Sequence, residues 1–122
     1  MMATTPEGKV KDLIKKQLKA EKSWHYMPVQ NGMGRVGIPD FVACVPITIT
    51  ANLVGKTIGA FVAVETKAPG KLKNTTPNQR KNLAEIHQAG GVAVVTDNDE
   101  ILPQALSVLR LSGVPMYYVP ME

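Results

Sequence analysis

The sequence predicts an α/β (α+β) domain, in which a mixed β-sheet is flanked by helices and the elements follow the order αβββαβα. A helical pattern of apolar residues comes first, two apolar and β-branched segments follow at 41–50 and 57–67, and a capped helix then leads into the apolar segment 92–96. A chain of 122 residues holds one hydrophobic core of ordinary size. We therefore expect a single domain that covers residues 1–122.

The first helix is expected over roughly residues 6–22. Thr4-Thr5-Pro6-Glu7 is typical of a helix start, with a threonine cap and a proline in the first turn. Apolar residues then recur with the helical period, at Val10, Leu13, Ile14 and Leu18. Glu7 shares this apolar side, and a glutamate that faces a core needs a partner. A short strand is expected next, at 26–30, where Pro28 confines it to a sheet edge.

Residues 31–37 form a glycine-rich loop that matches the dinucleotide-binding pattern GxGxxG letter for letter. That fingerprint needs a helix that begins inside the motif and holds pyrophosphate at its N-terminus. Here Ile38-Pro39 follows, and the residue before a proline is pushed towards extended geometry. A Rossmann site is therefore excluded, and we expect no nucleotide cofactor.

The two central segments, 41–50 and 57–67, are predicted to pair as an antiparallel hairpin through the connection 51–56. Ala68-Pro69-Gly70 ends this hairpin, and a basic loop follows it. Thr76-Pro77-Asn78-Gln79 is then a capping box with proline at the first helical position. These signals place a turn, a loop and a helix start directly after the second strand.

The second helix is expected to direct Leu83 and Ile86 inward and to stop at Gly90-Gly91. A short buried strand at 92–96 follows, and a last helix extends to about Ser112. Asp97, Asp99 and Glu100 form the densest acidic cluster, and at a helix start we interpret them as cap and dipole residues. Residues 116–119 are a possible terminal edge strand between two prolines.

Positive charge flanks a neutral central segment. The net charge of +4 divides into +4 over residues 1–37, zero over 38–68, +3 over 69–90 and −3 over 91–122. This distribution suits a polyanionic partner that approaches one face. The alternative is ordinary solvated charge, since a lysine-rich helix face is usually exposed to water.

Several classes of protein are excluded by composition. The sequence has no run of about 18 apolar residues, and its charged N-terminus lacks the apolar centre of a signal peptide. Its single cysteine, Cys44, excludes an internal disulfide and a multi-thiolate zinc site, and the run FVACV indicates a small buried side chain. We expect no membrane partner and a cytoplasmic location, in a bacterial or phage-infected cell.

Two polar interruptions of the apolar strands indicate chemistry. Asp40 opens the first strand after Pro39, and Glu65 and Lys67 end the second in the run FVAVETK. Glu65 and Lys67 share one face because alternate residues of a strand do. If the hairpin forms, Asp40 and Glu65 converge, and two carboxylates with water suit Mg²⁺ or Mn²⁺. The alternative is an ion pair at a strand end.

The wider pattern resembles the PD-(D/E)xK nuclease superfamily, and more narrowly a stand-alone virus-type replication-repair nuclease (VRR-NUC) domain. The resemblance covers about residues 7–96. It depends on Gly37-Ile38-Pro39-Asp40, then Glu65-Thr66-Lys67, a basic loop and Gln79 on a capped helix. The two short motifs are degenerate, whereas their order along the chain is more specific. The resemblance implies a restriction-endonuclease-like core, a mixed sheet flanked by helices.

The resemblance also implies roles for individual residues. Asp40 and Glu65 would bind the metal with the Thr66 backbone carbonyl, and Lys67 would be the catalytic lysine. Gln79 matches a glutamine that approaches the site, although the capping box alone also explains it. Glu7 matches a first-helix acid that contributes to metal binding. Its alternatives are a first-turn acid favoured by the helix dipole, or a capping box with Thr4.

The implied activity is that of a Mg²⁺- or Mn²⁺-dependent DNA endonuclease, acting on branched DNA such as a Holliday junction. Alternatives are a nuclease for flaps, nicks or ends, a catalytically silent DNA-binding module, and an α/β domain with a plain salt bridge. Arg35, Lys71 and Lys73 lie on loops near the proposed site and are candidates for phosphate contacts or ordinary solvated charge.

Symmetric cleavage of a four-way junction needs two active sites, so we expect a homodimer. The apolar and aromatic C-terminal stretch 114–121 is one candidate for its interface. The alternative is a terminal strand that packs on its own sheet.

Overall fold

The computed structural model describes residues 5–29, 37 and 39–121. The described chain is mixed α/β, and its element order αβββαβαβ confirms the predicted order and adds the terminal strand. The helices and strands are α1 (Pro6–Ala20), β1 (Trp24–Tyr26), β2 (Val42–Cys44), β3 (Val62–Thr66), α2 (Pro77–Gln88), β4 (Val92–Thr96), α3 (Ile101–Ser112) and β5 (Tyr117–Tyr118). The chain divides into two compact units, an N-terminal unit (Met1–Pro46) and a C-terminal unit (Ile47–Glu122). Across the described residues no helix is long and apolar enough to cross a membrane.

The N-terminal unit contains α1 and the antiparallel pair β1–β2. Thr5 caps α1 by accepting a hydrogen bond from the Gly8 amide at 2.9 Å. The helix has no buried residue among those described, and the apolar positions Val10 and Leu13 are 56% and 58% exposed. Of the predicted apolar side, Val10 and Leu13 therefore lie outside any core, whereas Ile14 and Leu18 are half-buried.

Cys44 lies at the end of β2 and is buried, as the sequence predicts. Burial raises the pKa of its thiol, because removal from water disfavours the thiolate. The side chain thus has the role of a small apolar residue in the N-terminal unit.

The predicted hairpin between 41–50 and 57–67 does not form. β2 pairs with β1 in antiparallel register, whereas β3 pairs with β4 in parallel register. The strand at 41–50 is shortened to Val42–Cys44, since Pro46 has no amide hydrogen to donate to a ladder. The described strands therefore form one antiparallel and one parallel sheet in place of a single mixed sheet.

The predicted bounds of the first short strand are also wrong, because β1 covers Trp24–Tyr26 and not 26–30. Of the predicted strand, Met27, Pro28 and Val29 are irregular, and residue 30 lies outside the described residues. Pro28 cannot donate a ladder hydrogen bond, which explains why the strand ends before it.

The C-terminal unit is a three-stranded parallel sheet, ordered β3-β4-β5, with helices on both faces. On one face, Leu83 of α2 packs with Ala93 and Val95. On the other, Ala105 of α3 packs with Val92 and Val94. All five residues of β4 are buried, which is why this central parallel strand is a continuous apolar run.

The C-terminal stretch packs on its own sheet. β5 pairs with β4, and its flanking residues Met116 and Val119 pack on opposite faces of the sheet. Tyr117 and Tyr118 remain 42% and 41% exposed. Of the two interpretations of this stretch, the structure supports the terminal strand.

Candidate functional site

The site is built at the carboxyl ends of β3 and β4. Parallel register pairs Glu65 with Val95 and Thr66 with Thr96, so the segments that leave these two strands start side by side. Glu65 and Lys67 continue the face of β3 on which Ala63 contacts the α2 cluster. Since α2 covers that face, the side chains at its first turn meet the end of β3.

Gln79 is the side chain of α2 that contacts the end of β3. Its Nε2 donates to Glu65 Oε2 at 3.0 Å, and its Oε1 accepts from Lys67 Nζ at 3.0 Å. Lys67 Nζ lies 3.6 Å from Glu65 Oε2, which closes a three-membered polar network. The amide orientation is defined by chemistry, because a carboxylate only accepts hydrogen bonds and an ammonium only donates them.

Gln79 also completes the capping box of α2. Its Oε1 accepts from the Thr76 amide at 2.9 Å, while the Thr76 hydroxyl accepts from the Gln79 amide at 3.1 Å. The helix-cap interpretation of Gln79 is therefore confirmed, and its role in a functional site stays a prediction. The cap holds the side chain in place, and the same oxygen receives Lys67.

The network lies at the protein surface without being fully hydrated. The side chains of Lys67 and Glu65 are 14% and 33% exposed. Hydrogen bonds to charged groups are stronger than neutral ones, so the network orders both charges relative to each other. The hydrogen bond and the ion pair of Glu65 both use Oε2.

The backbone carbonyl of Thr66 points away from β4. Phe61 O accepts from Val92 N and Lys67 N donates to Thr96 O, so the odd-numbered positions of β3 bond to β4. The Thr66 carbonyl is therefore directed to the outer side of β3, where the described sheet ends. Its role as a backbone metal ligand stays a prediction of the motif resemblance.

Two predicted acidic residues belong to the N-terminal unit. Asp40 is exposed just before β2, and its predicted convergence with Glu65 depends on a hairpin that does not form.

Glu7 pairs with Lys11 at 3.2 Å and its side chain is 74% exposed, which matches a first-turn acid and not a core-facing residue. Thr5, and not Thr4, caps this helix. Arg35 lies outside the described residues.

The basic loop after β3 contains a hydrogen-bonded turn. A single 3₁₀ turn over Leu72–Asn74 ends at Thr75, which is buried and donates its hydroxyl to Leu72 O at 2.7 Å. Leu72 packs against the α2 cluster. Lys71 and Lys73 are exposed on this turn, close in sequence to both Lys67 and the start of α2.

The sequence interpretation missed the role of Asp97. It was assigned to the cap of the last helix, but its Oδ2 accepts from the Gly70 amide at 2.8 Å. α3 begins at Ile101 without a side-chain cap, and the nearby Asn98 accepts from the Glu100 amide. The Pro69-Gly70 turn can be predicted from the sequence, whereas its hydrogen bond to Asp97, which follows the neighbouring strand, cannot.

The described oxygen donors suit a hard divalent cation. Within residues 5–29, 37 and 39–121, no three or more His, Cys, Asp or Glu side chains are arranged so that they could hold a metal ion together. Mg²⁺ usually takes one or two carboxylates and completes its shell with water and substrate phosphate. Glu65 and the Thr66 carbonyl thus match the kind of donor, and Asp40 is the predicted second carboxylate.

Comparisons with protein-family models, curated proteins and solved structures return no match for this chain. Its function is therefore inferred from its own residues and geometry, together with the motif resemblance.

Replacement of Gln79 by alanine should destabilise the protein measurably. The change removes hydrogen bonds to Glu65, Lys67 and the Thr76 amide, and leaves two partly buried charges without their shared partner. We expect the free energy of unfolding to fall by about 1–2 kcal/mol. Urea denaturation measures this fall.

The control is Asn78→Ala, at the neighbouring and exposed helix position. We expect it to change the free energy of unfolding by less than about 0.5 kcal/mol, as surface substitutions usually do. Equal effects of the two substitutions would mean that the network adds nothing to stability.

Proposed function

We propose that this protein is a metal-dependent DNA endonuclease. The observation that supports this most is the network in which Gln79 joins Glu65 and Lys67 at the end of β3. Motif order, a basic loop next to the network and the mixed α/β class add support. On this proposal the C-terminal unit corresponds to part of a restriction-endonuclease-like core.

Glu65 and the Thr66 carbonyl would hold Mg²⁺ or Mn²⁺, with Asp40 as the second carboxylate. The bound ion would polarise a phosphate oxygen and lower the pKa of a water molecule. Glu7 stays a weaker proposal, because its carboxylate is paired with Lys11.

Lys67 would stabilise charge on the phosphate. Its ammonium has three donors, of which one is given to Gln79 Oε1. The ammonium also pairs with Glu65 Oε2 at 3.6 Å, and the third donor would reach a phosphate oxygen or the attacking water. Gln79 restricts the lysine to one position, so little reorganisation is needed when negative charge develops on the phosphate.

The proposed substrate is branched DNA of the Holliday-junction kind, with flaps, nicks and ends as the second choice. Lys71 and Lys73 would contact phosphates beside the site. These contacts are independent of sequence, as expected for an enzyme that selects DNA shape. The proposed place of action is the cytoplasm of a bacterial or phage-infected cell.

Substitutions of the proposed catalytic residues test the chemistry. Asp40→Asn, Glu65→Gln and Lys67→Ala should each lower cleavage by at least about 100-fold, the usual effect of losing one acid–base or electrostatic contributor. Removal of divalent ions with EDTA should abolish cleavage. The assay uses labelled linear, nicked, flapped and four-way DNA with Mg²⁺ or Mn²⁺.

Matched controls are Asp12→Asn, Glu85→Gln and Lys81→Ala, which change exposed residues of the same types. These variants should keep the activity of the wild type. Full activity of a folded Glu65→Gln protein would refute the nuclease proposal. Binding of DNA by the wild type without any cleavage would instead favour the catalytically silent module.

Replacement of Lys71 and Lys73 together by alanine tests the basic loop. Binding to all DNA sequences should weaken, and the slope of log affinity against log salt should flatten by about two units, close to 0.9 for each lost phosphate contact. Titrations in EDTA at several salt concentrations measure the slope. The double substitution of Lys56 and Lys81, both exposed, removes the same charge and should change the slope less.

We also propose that two copies of the chain act together on one junction. Each copy has one Glu65–Lys67 site, so symmetric cleavage of two strands needs a pair, and a two-fold dimer is the commonest closed arrangement. Light scattering at micromolar concentration should give twice the chain mass of 13.2 kDa. A mass of one chain, both with and without junction DNA, would contradict the dimer.

A further inference from the structure

The turn between β3 and the basic loop has a partner on the neighbouring strand. Ala68 O accepts from Lys71 N at 2.9 Å, with Pro69 second and Gly70 third at φ +78°, which defines a type II turn. In this turn the Gly70 amide is not used by the turn's own hydrogen bond. It donates instead to Asp97 Oδ2 at 2.8 Å.

The far end of the basic loop is already anchored by other contacts. Leu72 packs against the α2 cluster, and Arg80 donates to Thr75 O at 2.7 Å. The Gly70–Asp97 hydrogen bond anchors the near end, just before Lys71. Asp97 directly follows β4, so this bond joins the connections that leave two adjacent strands.

The charge of Asp97 makes this arrangement informative. A carboxylate beside a phosphate-binding loop repels the ligand, and a solvated acid at this place would lower affinity. Here the carboxylate is engaged by a backbone amide, and by Asn98 Nδ2 at 2.9 Å on its other oxygen. The hydrogen bonds of Asp97 therefore act against the unfavourable effect of its negative charge on ligand binding.

We propose that Asp97 is a positioning residue that holds the basic loop in its DNA-binding conformation through the Gly70 amide. The proposal rests on the proposed function, since it assumes that Lys71 and Lys73 contact phosphate. A preorganised loop loses less conformational entropy on binding than a mobile one. Asp97 thus strengthens the binding of a polyanion although it is itself an anion.

The test compares Asp97→Ala with Asp99→Ala in binding to a labelled four-way junction in EDTA. Both substitutions remove one negative charge at nearly the same place, and Asp99 is exposed. Charge alone predicts unchanged or tighter binding for both. We expect Asp97→Ala to bind about 3- to 10-fold more weakly than the wild type, and Asp99→Ala to bind at least as tightly as the wild type.

Asp97→Asn keeps one acceptor oxygen and should restore most of the affinity. Hydrogen exchange of the free protein gives a readout that needs no DNA: the Gly70 amide should exchange at least about tenfold faster in Asp97→Ala, and the buried Val94 amide should be unchanged. If Asp97→Ala does not fold, Asp97→Ser is used in its place. The serine hydroxyl lies closer to the backbone than the Asp97 carboxylate, so it should not reach the Gly70 amide.

The outcomes separate this inference from the proposed function. Weaker binding together with faster Gly70 exchange supports the positioning role. Unchanged Gly70 exchange, or binding by Asp97→Ala that equals that of Asp99→Ala, overturns it while the nuclease proposal stands. Failure of the wild type to bind any DNA overturns the proposed function and this inference with it.

Discussion

The parallel pairing of β3 with β4 determines where Glu65, Lys67 and Gln79 lie. Parallel strands need a crossover connection, and here α2 returns the chain across one face of the sheet. Its first turn therefore stands over the end of β3, where Glu65 and Lys67 leave the apolar core. The same pairing brings the loop after β3 beside the start of the loop after β4.

The capping box of α2, a local sequence signal, also places Gln79 in the candidate site. A capping box needs a side chain that returns to the first amide of its helix, and that requirement holds Gln79 at the N-terminal end of α2. Because this end lies against Glu65 and Lys67, one amide group serves the helix and two charged side chains. Among the described residues, each buried side-chain nitrogen and oxygen has a hydrogen-bond partner.

The expectations that depended on local pattern agree best with the structure. The capping box, the turn at Pro69-Gly70, the last helix to Ser112 and the buried strand at Val92–Thr96 are all found. The expectations that depended on long-range strand pairing agree less well with the structure. The hairpin is wrong because β-branched segments of similar length do not specify their partners, and β2 pairs with β1. With it, the geometric reason for bringing Asp40 to Glu65 is lost, and that contact stays a prediction of the motif resemblance.

Three features of the site can be predicted from the sequence alone: Glu65 and Lys67 share a face, Gln79 lies in the first turn of a helix, and a basic loop connects that strand to that helix. Each of these follows from backbone periodicity or from a contact within a few residues. Three other features depend on the folded chain: Gln79 bridges the two charges, the Thr66 carbonyl faces outward, and Asp97 binds the Gly70 amide across 27 positions of the chain. The reason is that strand pairing is chosen by side-chain packing on both faces of a sheet, which no local stretch of sequence contains.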